Sequence, residues 1–425
     1  MTPADPRRTT RAEGAAGDTV GEPALMNPET YVTGVPHEYF ARLRANDPVQ
    51  WRDEGYGPAY WAVTKHEECA LVTRRWDWFS SHRRTALSLE LPDEDVEQQQ
   101  LMMLNMDPPL HTRYRRLVNK AFNPRMVRDL EQSIHHATDQ IIDAVCERGE
   151  ADFVTDISAE LPLIVIAELL GVPGRDRHRM FDWSNRMVGS EDPEYRITPE
   201  TAMQSALELY AYASELFATK RLAPGTDLMS ALTQVEMDGE ALSPLELELF
   251  FLLLTVAGNE TTRNLMSGAM QVFFDHPDQW ERLRSDRSLL PLAVEEMLRF
   301  VSPVMNFRRT ATADVNLRGV DIHEGDKVVI FYSSANRDED VFDRPDVFDI
   351  GRDPNPHLAF GGGGPHFCLG ANLARLEIRV MFEHLLERMP DIRPTGAPSR
   401  LQSQFINGVK HLPVAFSPSN PVGAR

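Results

Sequence analysis

Along the chain, stretches with the apolar spacing of a helix fill the middle, and short β-leaning runs gather towards the two ends. From about Met26 the pattern predicts a short helix. The runs Val49–Trp51 and Tyr60–Val63 follow, parted by the turn signal Glu54-Gly55. Lys65–Thr73 predicts a brief helix. The stretch Arg83–Gln100 is polar and unpatterned, ends in LPDEDVEQQQ, and predicts a solvated loop. Helical periodicity then dominates to about Phe300. Ile157–Leu170, closed by Gly171 with Pro173 beyond, and Met203–Leu222 are two such segments, joined by the polar connection Met187–Pro199.

Ser243-Pro244-Leu245-Glu246 is a strong helix start, with a capping serine, a proline at the first position and a glutamate at the third. The helix is expected to run to about Asp275, where His276-Pro277 interrupts it. Roughly 30 residues at about 1.5 Å each make a rod of about 45 Å. Between Leu245 and Val256 only Glu246, Glu248 and Thr255 are polar, which predicts burial through the centre of the molecule. The segment AGNETT, Ala257–Thr262, breaks this apolar character. Gly258 costs about 1 kcal/mol against alanine in mid-helix, and Glu260 and Thr261 are expensive to bury without partners. The interruption is either a kink at a crossing or a functional insertion.

From Pro303 the pattern turns β-rich, with strands at Val315–Leu317, Val320–Ile322 and Lys327–Tyr332, a turn at Glu324-Gly325, and a late hairpin at Phe405–Val409. The expected class is mainly α with a smaller β region (α+β). No repeat or linker divides residues 26–425, so one domain is expected there.

A chain of 425 residues buries a substantial core, and 42% apolar with 25% charged residues is ordinary for a globular protein. The net charge of −20 argues against nucleic-acid affinity. Cys69, Cys146 and Cys368 do not suggest a disulfide framework, which fits a reducing cytoplasm. Residues 1–25 lack an apolar run and read as a mobile tail. No later segment holds about 18 uncharged apolar residues in a row, so no membrane anchor is expected.

The chemistry concentrates in Phe360–Arg375, FGGGGPHFCLGANLAR. Four glycines and a proline lead to Cys368 at an expected helix start, where unpaired N–H groups and the helix dipole favour thiolate. Leu369, Leu373, Leu376 and Val380 supply the apolar stripe of that helix. A buried structural cysteine would not need the glycines. A phosphate cradle lacks the closing Lys-Ser/Thr. A hydrolytic nucleophile and a thiolate metal ligand both stay open. Upstream, His111 and Arg115 lie four apart in DPPLHTRYRRLVNKAFNP and share a helical face, with Asp107 as a cap, and Arg113, Arg116 and Lys120 form a second basic cluster. Glu296 and Arg299 share another face in AVEEMLRF.

The glycine loop resembles the haem-binding loop of the cytochromes P-450, in which this cysteine is the axial thiolate on haem iron. HxxxR, AGxET, ExxR and FxRxA follow one another in that family's order between about residues 27 and 415. The resemblance implies a long central helix over a haem b. It implies propionate contacts from His111, Arg115, Arg309 and His366. It makes Glu260 and Thr261 the proton-delivering acid and threonine, with Ala257 and Gly258 leaving room for dioxygen. Glu296, Arg299 and Arg352 become structural supports for the loop. Ala257, Val304, Phe307 and Ile406 become pocket residues, Arg83–Gln100 a substrate lid and Met187–Pro199 a gate. The basic cluster becomes a docking place for an acidic redox partner, a ferredoxin or flavodoxin with its reductase. The family's usual loop places phenylalanine seven residues before the cysteine, whereas Phe360 stands eight before Cys368. That extra glycine is similar to the loop of actinobacterial members acting on sterol side chains and methyl-branched lipids. Hydroxylation of a sterol, terpenoid or branched lipid is therefore expected. A tailoring enzyme of the same family, performing desaturation or C–C bond chemistry, and a haem-binding sensor or carrier are the alternatives.

Overall fold

The computed structural model describes residues 22–121, 124–188, 191–195, 198–237 and 239–423. The expected tail 1–25 lies outside these residues as far as 21. Its last residue does not behave as a tail: Leu25 is buried in a cluster with Phe40 and Phe331.

The helices that build the site are α1 (His66–Arg74), α2 (Leu110–Ala121), α3 (Pro124–Asp143), α4 (Glu160–Leu170) and α5 (Arg177–Val188). They continue with α6 (Pro199–Leu222), α7 (Pro244–Asp275), α8 (Leu290–Val301) and α9 (Ala371–Arg388). The 32 residues of α7 begin at a complete capping box. Ser243 Oγ accepts from the Glu246 amide at 3.3 Å, and Glu246 Oε2 accepts from the Ser243 amide at 2.6 Å. The helix packs against α4, α5, α6, α8 and α9, which explains why its first half is apolar on nearly every side.

AGNETT does not interrupt α7, whose helical span continues to Asp275. Gly258 is there for another reason: a Cβ on it would lie 2.8 Å from Ile166 Cδ1 of α4. The glycine lets the two helices approach, and the packing gained offsets its poor helix propensity.

The main sheet joins β1 (Val49–Arg52), β2 (Tyr60–Val63), β3 (Phe79–Ser80), β4 (Asn306–Ala311) and β5 (Lys327–Phe331) in the order β1-β2-β5-β4-β3. The β2–β5 pair is parallel and the others antiparallel. Every residue of β2 and β5 is buried, so YWAV and KVVIF read as continuous rather than alternating apolar runs. A late hairpin pairs β6 (Ser399–Arg400) with β7 (Val409–His411).

Arg83–Gln100 is not a solvated loop. Asp93–Gln99 is helical, and Thr85, Ala86 and Ser88 are buried. Their polar groups find partners: the Ala86 amide donates to Asn105 Oδ1 at 2.8 Å, and Ser88 O accepts from Lys327 Nζ at 2.8 Å. No helix among the described residues is long and apolar enough to cross a membrane.

Candidate active site

A cavity of about 270 Å³ lies between α7 and the glycine loop. Its wall takes Ala257, Gly258 and Thr261 from α7, His111 and Arg115 from α2, and Arg309 from β4. Val304 and Phe307 add apolar surface, and His366 and Cys368 come from the loop. Two expected members are elsewhere. Ile406 is buried in a bridge to Val304, behind the wall rather than on it.

Glu260 is turned away as well. Successive helical residues point about 100° apart, so with Thr261 on the cavity the preceding carboxylate faces the protein. There it is buried, ion-paired to Arg263, and shares Asn264 Nδ2 at 3.4 Å. Arg263 in turn reaches Asn185 Oδ1 of α5 at 3.0 Å. Thr261 Oγ1 donates to Ala257 O at 2.8 Å, one turn back on the cavity side.

The loop is shaped by its glycines. A Cβ on Gly362 would meet Ala70 Cα of α1 at 2.6 Å, a backbone contact that cannot yield. Gly361, Gly363 and Gly364 all have positive φ, so the turn is spread over the cluster. The chain then returns, and the Cys368 amide donates to Phe360 O at 3.0 Å. Cys368 is exposed, but the surface it exposes belongs to the cavity. Burial there raises its thiol above the usual range, against the Gly370 N–H, Arg115 and Arg375, which favour the thiolate. Helix α9 begins only at Ala371, so Cys368 stands outside the first turn and the dipole does not prevail. A metal cation in front of the sulfur reverses that balance, because a coordinating thiol is deprotonated outright.

The basic groups are unneutralised. Arg309 is 3% exposed and gives one guanidinium bond to Arg308 O at 2.7 Å. Among the described residues neither it nor Arg115 has a carboxylate partner, and burial depresses both. His111 stacks obliquely on His366, with ring centroids 4.2 Å apart. Burial, then Arg115, push the His111 imidazole down to about 4, and its buried Nδ1 has no partner. Burial, then Arg309 and His111, hold His366 well below its usual value. Such a cluster calls for a bound anion.

Glu296, Arg299 and Arg352 come together beside the site. Glu296 and Arg299 are 0% exposed. The carboxylate accepts from Arg299 Nε and Nη2 at 2.8 Å each, from Arg352 Nε at 3.1 Å, and from Asn355 and the Asp349 amide at 3.1 and 3.0 Å. A second brace, unforeseen from the sequence, joins α8 to α9: Arg375 grips Glu295 at 2.6 and 2.8 Å. Asp107, expected to cap α2, instead accepts from Ser80 Oγ and from the Ser81 amide at 2.9 Å, tying the helix entry to β3.

Of the expected gate, residues 189–190 and 196–197 lie outside the described residues. The part between is fastened to the β6–β7 hairpin. Glu191 Oε2 accepts from Ser403 Oγ and the Gln404 amide at 3.0 and 3.1 Å. Asp192, buried, accepts from the Gln402 amide at 2.8 Å and Lys410 at 3.0 Å. Glu194 meets Lys410 at 2.6 Å and His411 at 2.8 Å. Of the basic surface cluster, Arg113 and Arg116 belong to α2, and the Lys120 side chain is outside the described set.

The profile of the Cytochrome P-450 family matches residues 209–390. Steroid C26-monooxygenase of Rhodococcus jostii is 42% identical over 92% of this chain and 84% of its own length. The chain belongs to the cytochromes P-450. Methyl-branched lipid omega-hydroxylase of Mycobacterium bovis is 41% identical, covering 89% of this chain and 90% of that protein. The crystal structure of a Mycobacterium marinum cytochrome P-450 with pseudoionone superposes with a TM-score of 0.84 at 39% identity, over 89% of this chain and 94% of that one.

A cytochrome P-450 carries a haem–thiolate group and works on a hydrophobic substrate with dioxygen and an external electron donor. The residues here fit such a group. Cys368 presents a sulfur to an otherwise largely apolar cavity, and the unpaired guanidiniums and the orphaned His111 nitrogen suit the two propionates of a haem. Sequence reasoning missed Glu377, which also lines the cavity. The signal was present: it stands four residues after Leu373, a carboxyl within an apolar stripe.

Proposed function

We propose that this cytochrome P-450 is a haem b monooxygenase hydroxylating a sterol, terpenoid or methyl-branched lipid at or near a terminal methyl. The observation that carries it is the convergence of one cysteine sulfur, two guanidiniums without a carboxylate partner and two histidines on a single apolar cavity. Cys368 would hold the iron, and His111, Arg115, Arg309 and His366 would hold the propionates. When bound, the haem supplies dioxygen activation and insertion of one oxygen atom into a C–H bond. The other atom leaves as water, consuming two protons and two electrons.

The protein contributes placement and protons. Val304 and Phe307 present apolar surface to the substrate, and Ala257 leaves space beside the Thr261 hydroxyl. Thr261 is the hydrogen-bonding group at the oxygen site. A proton from Glu260 would have to leave by Oε1, a buried oxygen without a partner, since Oε2 is held by Arg263. Glu296, Arg299 and Arg352 keep the loop in place. Electrons come from a ferredoxin or flavodoxin with its reductase, docking at the basic residues Arg113 and Arg116. Residues 26–425 act as one unit in this reading, supported by a cavity that draws on both the helices and the main sheet. Three unbridged cysteines support a cytoplasmic setting.

The substrate class rests on the two named relatives and on the glycine-extended loop. The test is a difference-spectroscopy screen of the purified haem protein with cholesterol, terpenoids and branched fatty acids, followed by product mass. A spectral shift and a gain of one oxygen atom are expected. No shift with any of the three classes removes the substrate proposal. A reduced carbon monoxide complex without the red-shifted Soret band removes thiolate ligation.

A further inference from the structure

The β6–β7 hairpin sends no side chain to the cavity, yet it holds the part of the wall that a substrate meets. Pro303, Val304 and Phe307 line the cavity. Behind them the Met305 amide donates to Phe405 O and the Asn407 amide to Pro303 O, both at 2.9 Å, and Val304 forms its bridge to Ile406. Asn306, 0% exposed, gives its side-chain N–H to Gln404 O at 2.7 Å. The Phe307 and Phe405 rings meet edge to face, with centroids 5.5 Å apart. Residues 303–307 are laced to the hairpin tip along their whole length, so Val304 and Phe307 stand where the tip puts them.

One half-buried acid fixes the tip. The hydroxyl of Ser403, itself buried, accepts from the Phe405 and Ile406 amides at 3.2 Å each. It donates to Glu191 Oε2 at 3.0 Å, and the same carboxylate oxygen accepts from the Gln404 amide at 3.1 Å. Elsewhere the hairpin rests on α7: the Val409 amide donates to Asn264 Oδ1 at 3.3 Å, and a Cβ on Gly408 would lie 2.8 Å from that oxygen. The tip therefore has a stop at α7 and a tie at Glu191. Without the acid, the Ser403 hydroxyl and the Gln404 amide lose their acceptor in a buried place, which forces the tip to rearrange.

We propose that Glu191 is a positioning residue that sets which carbon of the substrate meets the oxygen site, acting through Ser403 and the hairpin tip on Val304 and Phe307. At a branched chain end the tertiary C–H is weaker than the C–H of the methyls beside it. Oxidation of the methyl needs a wall that overrides bond strength, and a misplacement of about 1 Å changes a rate by about a hundredfold. This assignment rests on the monooxygenase reading with a branched substrate.

The test uses the haem-loaded enzyme with a ferredoxin, its reductase and cholesterol, and measures the ratio of terminal-methyl alcohol to the adjacent tertiary alcohol. Wild type should favour the methyl. Glu191→Ala should lower the ratio by about tenfold, while Glu191→Gln, which keeps an acceptor oxygen, should stay within about twofold of wild type. Ser403→Ala should lower it as Glu191→Ala does, and the double variant no further than either single, because both act along one path. Backbone amides of residues 403–407 and of Met305 should exchange with D₂O faster in Glu191→Ala. Glu194→Gln, which loosens the neighbouring ion pairs without touching Ser403, should leave the ratio in place. An unchanged ratio or unchanged exchange in Glu191→Ala overturns Glu191 alone, as does an equal fall in Glu194→Gln or a double variant whose loss is the product of the two singles. A wild type that oxidises cholesterol at neither carbon, or chiefly at the tertiary one, overturns the proposed function and this assignment with it.

Discussion

Replacing Glu296 by alanine tests whether the buried triad supports the loop. The carboxylate is 0% exposed and accepts from five donors, two of them on Arg299, which is equally buried. After the change Arg299 still reaches the carbonyls of Asn336, Pro345 and Val347 at 2.8, 2.8 and 3.2 Å. What it loses is its counter-charge. Removing one partner of a buried pair costs about 3–5 kcal/mol, or roughly two to three and a half powers of ten in the unfolding equilibrium at about 1.4 kcal/mol each. With a urea slope of about 3 kcal/mol per molar or somewhat more, the midpoint should drop by roughly 1 M. Urea unfolding followed by far-UV circular dichroism measures this. The double variant Glu296→Leu with Arg299→Met should recover at least half of the loss, because both charges are then gone. A Glu296→Ala protein within about 1 kcal/mol of wild type would refute the argument, as would a double variant no better than the single.

Gly258→Ala gains about 1 kcal/mol of helix propensity but drives a methyl to 2.8 Å from Ile166 Cδ1. A net loss of about 1–2 kcal/mol is expected, visible as a lower melting temperature and relieved by adding Ile166→Val. Arg309→Met should stabilise the haem-free protein, because a buried cation without a carboxylate disappears, while haem dissociates faster; slower or equal haem loss would contradict a propionate role. His411 is raised above its usual value by Glu194, then Asp152. Its contribution is full below the unfolded value of about 6.5 and is lost as pH rises through the higher folded one. Melting temperature should therefore fall less over that interval in His411→Gln than in wild type. Glu377 is a raised acid, so the folded protein keeps a proton that the unfolded chain has lost. Wild-type stability should fall by about 1.4 kcal/mol per pH unit from this group as pH rises above about 4.3 towards the folded value. Glu377→Gln should remove that slope, read from urea midpoints at successive pH values.

The long elements were legible because each carries its own local signals. Ser243 to Glu246 announces the start of α7, His276-Pro277 its end, and the apolar helix before Gly171 stops at a left-handed residue. What stayed hidden depends on which neighbour a side chain meets. Gly258 reads as a weakness until Ile166 is placed against it. Glu260 and Thr261 read as a pair until helical geometry parts them, one to Arg263 and one to the cavity. Asp107 had a cap's position and took Ser80 and Ser81 instead. The polar stretch 83–100 looked solvated because nothing local reveals that Lys327 and Asn105 would be its partners.

The fastening of residues 191–195 to the hairpin has a kinetic consequence. Three acidic side chains and five donors of the hairpin must part before this side of the molecule can move. A ligand that enters here waits for an event it does not cause. Its observed binding rate should level off at high concentration, at a ceiling common to all ligands. Since half of the contacts are ionic, added salt should lift that ceiling while leaving the differences in affinity among ligands largely in place.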